Sequence, residues 1–159
     1  MNFWIENSWD SLLEVMKKTD IISINDEEAR QISGEYSLVR AARKIHTIGP
    51  QTVIIKKGEH GALVFHDNNM FLAPALPLEN VIDPTGAGDT FIGGFAAYLH
   101  VQETYSFEAI KKATIHGCAT ASVCVEQFGL EALVKADKST IISRLDSLKK
   151  LSQIDSKGT

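Results

Sequence analysis

Asp83-Pro84-Thr85-Gly86-Ala87-Gly88-Asp89-Thr90-Phe91 is a glycine-rich turn that runs straight into an apolar helix, expected over Thr90 to about His100, and its reading decides the fold. Gly86 and Gly88 tolerate positive φ and bring no Cβ into a concavity, so the backbone N–H groups of Thr85 to Gly88 are free to converge on one point. The following helix directs its positive dipole end and its unpaired N–H groups at the same point, where a phosphate would be stabilised. Asp89 stands at the mouth of this cradle. A phosphate repels a carboxylate, and acceptance of a proton from an attacking hydroxyl is a role that explains why one is there. On the glycines alone, a tight turn with Asp89 as helix N-cap is the simpler reading, since Asp favours that position.

Outward from this stretch, the whole chain has 159 residues, 44% of them hydrophobic, enough for one ordinary core and hence one domain. Its formal charge is −4 and neither Lys nor Arg forms a run, which argues against nucleic acid or an anionic membrane as partner. Cys118 and Cys124 lie in an apolar helical stretch without ligand spacing and read as small core residues of a reducing compartment. There is no basic leader and no apolar run near the roughly 18 residues a membrane span needs, so a cytoplasmic protein is expected.

The order of elements predicts an α/β fold. Trp9, Leu12, Leu13 and Met16 recur at helical spacing, Ile21 to Ile24 reads as a strand apolar on both sides, and Asp26 opens a helix that Gly34 stops. Ser37 to Ile48 is a helix closed by Gly49-Pro50, and Thr52 to Ile55 is a continuously apolar strand, buried on both faces and central. A turn over Lys56 to Gly61 leads to a hairpin partner, Ala62 to Phe65, and a second turn at Asp67-Asn68-Asn69 leads to Met70–Ala73. Val81-Ile82 is expected as the strand that enters the glycine turn. Beyond it come a long helix, Phe107 to Val125, whose small residues admit a close backbone or a flat ligand, and a last helix near Ser139 to Leu151 with Ile141, Ile142, Leu145 and Leu148 inward. The polar sites after Ile24, Ile55 and Ile82 then share the carboxyl-end edge of one doubly wound sheet, where such folds bind ligands.

Two further constellations fall on that edge. Asn25 and Glu28, three residues apart at a strand-to-helix junction, are placed to meet one ligand, although the acids serve a helix start equally well. Lys56, Gly58 and Gly61 belong to a glycine turn that permits close approach. His60 and His116 have no metal-spaced partner and receive no catalytic role.

The string from Asp83 to Phe91, continued by Gly93-Gly94-Phe95, resembles the C-terminal signature of the ribokinase-like (PfkB) carbohydrate kinases. The resemblance implies a three-layer, Rossmann-like doubly wound domain truncated at its N-terminal side, with residues 1–151 as the C-terminal part of a kinase domain and 152–159 as a polar tail. It implies ATP-dependent phosphoryl transfer to the hydroxyl of a sugar or nucleoside, with Asp89 as catalytic base and Thr85, Gly86, Ala87 and Gly88 as anion hole. Ile24 to Ala29 is similar to the family's N-x-x-E motif, which assigns Asn25 and Glu28 to Mg²⁺ through water, a mode that suits a cation reluctant to dehydrate. Lys56, Gly58 and Gly61 correspond to the turn against the nucleotide, and Cys118 to Ser122 to the adenine side, with Cys118 where relatives often carry Asn. Self-association through an open sheet edge is expected, and a catalytically idle nucleotide-binding module and a plain structural fragment are the competing readings.

Overall fold

The computed structural model describes residues 2–153. The expected polar tail therefore lies outside the described residues from position 154 on. The chain forms two compact units, one of residues up to Gly58 with Ala62–Leu72, the other of Glu59–Gly61 with the residues from Ala73 onward.

The first unit opens with α1 (Asn2–Asn7) and α2 (Trp9–Met16), followed by β1 (Ile21–Asn25), α3 (Asp26–Ser33), α4 (Leu38–His46) and β2 (Thr52–Lys56). A single 3₁₀ turn, Gly58–His60, precedes β3 (Ala62–His66) and β4 (Asn69–Ala73). The four strands form one sheet in the order β1-β2-β3-β4. Pairing is parallel between β1 and β2 and antiparallel between β2 and β3, so the sheet is mixed. The central strand is the one expected: Thr52 to Ile55 are all buried, and the one polar side chain among them, Thr52, is satisfied by His66 Nδ1 at 2.9 Å. β1 departs from its expected two-sided burial. Only Ile22 and Ile24 are buried, while Ile21, Ser23 and Asn25 on the other face are half-buried, as an end strand allows.

The helices close on one face of this sheet. Ile22, Ile24, Val53, Ile55 and Phe65 meet Ala29 and Ile32 of α3, Ala41, Ala42 and Ile45 of α4, and Met16 of α2 in one cluster. Each large aliphatic buried here stabilises by about 1.5–3 kcal/mol, so the 3.6-residue spacing on the helices and the alternation on β1 determine which faces meet. Gly34 ends α3 in the left-handed conformation at φ 69°, as its position after the helical pattern predicted.

The second unit is helical: α5 (Ala87–His100), α6 (Phe107–Cys124), α7 (Glu131–Lys135) and α8 (Lys138–Ser152). α5 and α6 pack so closely that a Cβ on Gly117 would lie 2.8 Å from the Phe91 carbonyl oxygen, and one on Gly94 2.2 Å from Thr120 Oγ1. The small residues of α6 thus admit a helix backbone. α8 presents Leu148 inward with Ile141 and Leu145 half-buried, but Ile142, expected inward, is exposed. The expected strand at Val81-Ile82 is absent. Residues 74–84 are irregular, Val81 and Ile82 are exposed, and the Ile82 N–H donates to the Val125 carbonyl at the end of α6, at 2.8 Å. Pro74, Pro77 and Pro84 lack N–H donors, and two β-branched residues among them are too few to form a ladder.

Candidate active site

In the second unit, the turn Asp83 to Gly86 delivers the chain into α5. Asp83 Oδ1 accepts the Thr85 N–H at 2.9 Å, and its carboxyl is held below the ordinary carboxylate value, first by the Thr85 hydroxyl and then by that N–H. Gly86 is the N-cap of α5 at φ 81°, a left-handed conformation that costs a side chain dearly. Gly88, expected to share this role, does not: positive φ among the described glycines falls on Gly34, Gly58, Gly61, Gly86 and Gly129. α5 begins at Ala87 instead of Thr90, so Ala87, Gly88 and Asp89 are its first three residues and Gly86, not Asp89, is the cap.

The earlier start of α5 sharpens the geometry. No side chain caps the helix. The Ala87 N–H reaches back to the Pro84 carbonyl at 3.1 Å, whereas the amides of Gly88 and Asp89 belong to the first turn, which has no intrahelical acceptors. The helix is oriented by Phe91, Phe95 and Leu99, a buried stripe at i, i+4 and i+8. Two residues before Phe91, at about 100° each, is roughly the opposite face, and Asp89 is exposed there. An uncapped, dipole-positive helix end with a solvent-facing carboxylate beside it has the chemistry to stabilise an anion with its amides and to accept a proton with its side chain.

The nucleotide and metal candidates of the first unit gather at the C-terminal end of the parallel pair. Asn25 and Lys56 are register partners there, with Gly58 two residues on. Asn25 and Glu28 form a capping box: Asn25 Oδ1 accepts the Glu28 N–H at 2.7 Å and Glu28 Oε2 accepts the Asn25 N–H at 2.9 Å. Glu28 is buried, so it is no solvated acid. Hard oxygen donors suit Mg²⁺, but these two are already engaged by the backbone, and the described residues hold no group of three or more His, Cys, Asp or Glu placed to hold a metal ion.

Gly61, in the second unit, sits at φ 82°, and a Cβ on it would lie 2.0 Å from the Ala73 carbonyl oxygen, so both conformation and space require glycine. At Gly58, φ 55°, only the conformation does. In α6 the stretch proposed for the adenine side is largely turned inward: Cys118, Ala119 and Ser122 are buried, Ser122 donates to the Ala119 carbonyl at 2.7 Å, and burial pushes the Cys118 thiol up to about 12. His116 stacks on Tyr98 with centroids 4.4 Å apart, its pKa lowered by burial and then by Lys149. These two rings, with Gly93, Gly94 and Ala97, line a cleft of about 460 Å³ along α5 that begins past its first turn and does not have Asp89 in its lining. Sequence reasoning missed the double anchor at Val125, whose carbonyl accepts from both Ile82 and Asp83, because nothing local marks a helix-end acceptor.

The profile described as pfkB family carbohydrate kinase matches residues 1–137. A cytidine kinase of Thermococcus kodakarensis is 42% identical over 90 residues, 55% of this chain and 32% of that protein. A ribokinase of Haemophilus influenzae is 32% identical over 133 residues, 80% of this chain and 42% of that protein. The crystal structure of aminoimidazole riboside kinase from Salmonella enterica, with aminoimidazole riboside and an ATP analogue, superposes with a TM-score of 0.76 at 26% identity, covering 87% of this chain and 48% of that one. The chain thus spans less than half the length of these relatives.

Proposed function

The chain belongs to the pfkB family of carbohydrate kinases, and from that premise we propose that it serves ATP-dependent phosphoryl transfer to the hydroxyl of a sugar or nucleoside. The observation that carries this reading is the uncapped start of α5, with Gly86 left-handed before it and Asp89 exposed at its third residue. In the proposed reaction the Asp89 carboxylate takes the acceptor's hydroxyl proton, the acceptor oxygen bonds to the γ-phosphorus, and the bond from that phosphorus to the bridging oxygen breaks to release ADP. The N–H groups of the Thr85 to Gly88 turn and the α5 start hold the charge on the transferred group. Lys56, Gly58 and Gly61 would lie against the nucleotide, and Asn25 and Glu28 would hold, through water, a Mg²⁺ whose charge would offset that of the phosphates. A cytoplasmic setting completes the proposal, in keeping with two buried, unpaired cysteines.

A coupled ADP-release assay over a panel of sugars and nucleosides tests it: acceptor-dependent ADP is expected, and ADP formation independent of every acceptor counts against it. The second reading, nucleotide binding without turnover, is favoured by the chain's spanning less than half of each relative. Saturable heat on titration with Mg·ATP, without acceptor-dependent turnover, would select that reading. No heat and no turnover would leave a structural fragment.

A further inference from the structure

We infer that the C-terminal turn of α6 is the clamp that sets the shape of the anion cradle, with Cys124 as its positioning residue; the functional part of this inference rests on the kinase reading above. Three hydrogen bonds, all within the second unit, converge on the segment that enters α5. The Val125 carbonyl accepts the Ile82 N–H at 2.8 Å and the Asp83 N–H at 3.3 Å, which anchors the segment where it enters the turn. The Cys124 thiol, on a residue only 1% exposed, donates to the Thr85 carbonyl at 3.7 Å. The same sulfur lies 3.8 Å from where a Cβ of Gly86 would stand, so it is the nearest side-chain atom to the space beside the left-handed residue.

This arrangement answers a physical need. A turn with positive φ at its cap, exposed residues at Pro84 and Thr85 before it and no side-chain cap on the following helix has few internal restraints. An anion site built from amides works only if those amides are held in place before the charge arrives. The sulfur supplies what the turn lacks: a weak donor for the Thr85 carbonyl, and a large polarisable atom close to Gly86. Cys124 is thus a positioning residue that acts through the backbone of Thr85 and Gly86 and never meets the substrate.

The test is hydrogen exchange by mass spectrometry on the 159-residue chain, read on a peptide spanning 82–90, with α8 as internal control, in the parent, Cys124→Ala and Cys124→Ser. Faster exchange of 82–90 in the alanine variant, with α8 unchanged and the serine variant between the two, is the expected result. Exchange of 82–90 at the parent's rate in the alanine variant overturns the clamp. So does acceleration of α8 to the same degree, which marks Cys124 as mere core packing. A parallel Mg·ATP titration should show affinity weakened about fivefold in the alanine variant, the effect of one modest hydrogen bond. A parent that takes up no Mg·ATP, beside an alanine variant that still loosens 82–90, refutes the kinase reading and leaves the clamp standing.

Discussion

In the proposed reaction Asp89 and the amides around it divide one task between a side chain and a backbone, and the two are separable by substitution. Asp89→Asn removes the proton acceptor and leaves every N–H of the α5 start in place. Turnover with an acceptor is therefore expected to fall by about a hundred- to ten-thousand-fold while Mg·ATP affinity is unchanged. Parental turnover in the asparagine variant would take the base assignment away from Asp89. The two glycines of the turn make a second contrast, because only Gly86 is left-handed while Gly88 is inside the helix. Gly86→Ala forces a side chain into φ 81° and should destabilise by about 1–2 kcal/mol. Gly88→Ala, at an ordinary helical position, should instead stabilise by up to about 1 kcal/mol. Urea midpoints that move in opposite directions bear this out, and midpoints that fall together would show that Gly88 is constrained as tightly as Gly86.

At the scale of elements, the α3 start shows why a motif and a fold signal are hard to separate. Asn25 and Glu28 were legible as a pair because N-x-x-E places two polar groups on one side of a first turn. What the spacing could not reveal is that each accepts the other's backbone N–H, so the pair serves the helix before it serves any ligand. Asn25→Ala should lower stability by about 0.5–2 kcal/mol, and Asn25→Asp, which keeps the acceptor, should cost little. An unchanged urea midpoint for the alanine variant would remove the capping role. The strands with continuous or hairpin-bounded apolar runs, β2, β3 and β4, were legible for the same local reason as α2, α3 and α4: burial periodicity and glycine stops lie in neighbouring residues. Val81-Ile82 misled because β-branching alone says nothing about what the backbone will pair with, and the acceptor here is a carbonyl more than 40 residues away, at Val125. The start of α5 was misplaced for a related reason. Glycine reads as turn, and only the packing of Phe91, Phe95 and Leu99 draws Ala87 and Gly88 into the helix.

The whole molecule raises the question of the sheet's ends. Parallel strands are ordinarily enclosed on both sides, whereas the edge of an antiparallel hairpin tolerates water, so of the two end strands β1 is the one out of place. It carries no proline or lysine to blunt pairing with another chain, and Ile21 and Ser23 are only half-buried. Phe3 and Trp4 of α1, in the same unit, add apolar surface at 66% and 55% exposure. β4 exposes Met70 and Leu72 at 58% and 57%, but as a hairpin edge. The 159-residue chain is therefore expected to self-associate through β1, giving a concentration-dependent sedimentation coefficient in velocity runs. Ile21→Lys, which puts a charge on that edge, should shift the distribution toward monomer, while Met70→Lys on the opposite edge should not. If Met70→Lys dissociates the assembly and Ile21→Lys leaves it intact, the hairpin edge is the sticky one and the argument from parallel pairing fails. If the parent itself sediments as a single monomer at all concentrations, with a cooperative thermal transition and no dye-accessible apolar surface, the β1 edge is protected within one chain and carries no association at all.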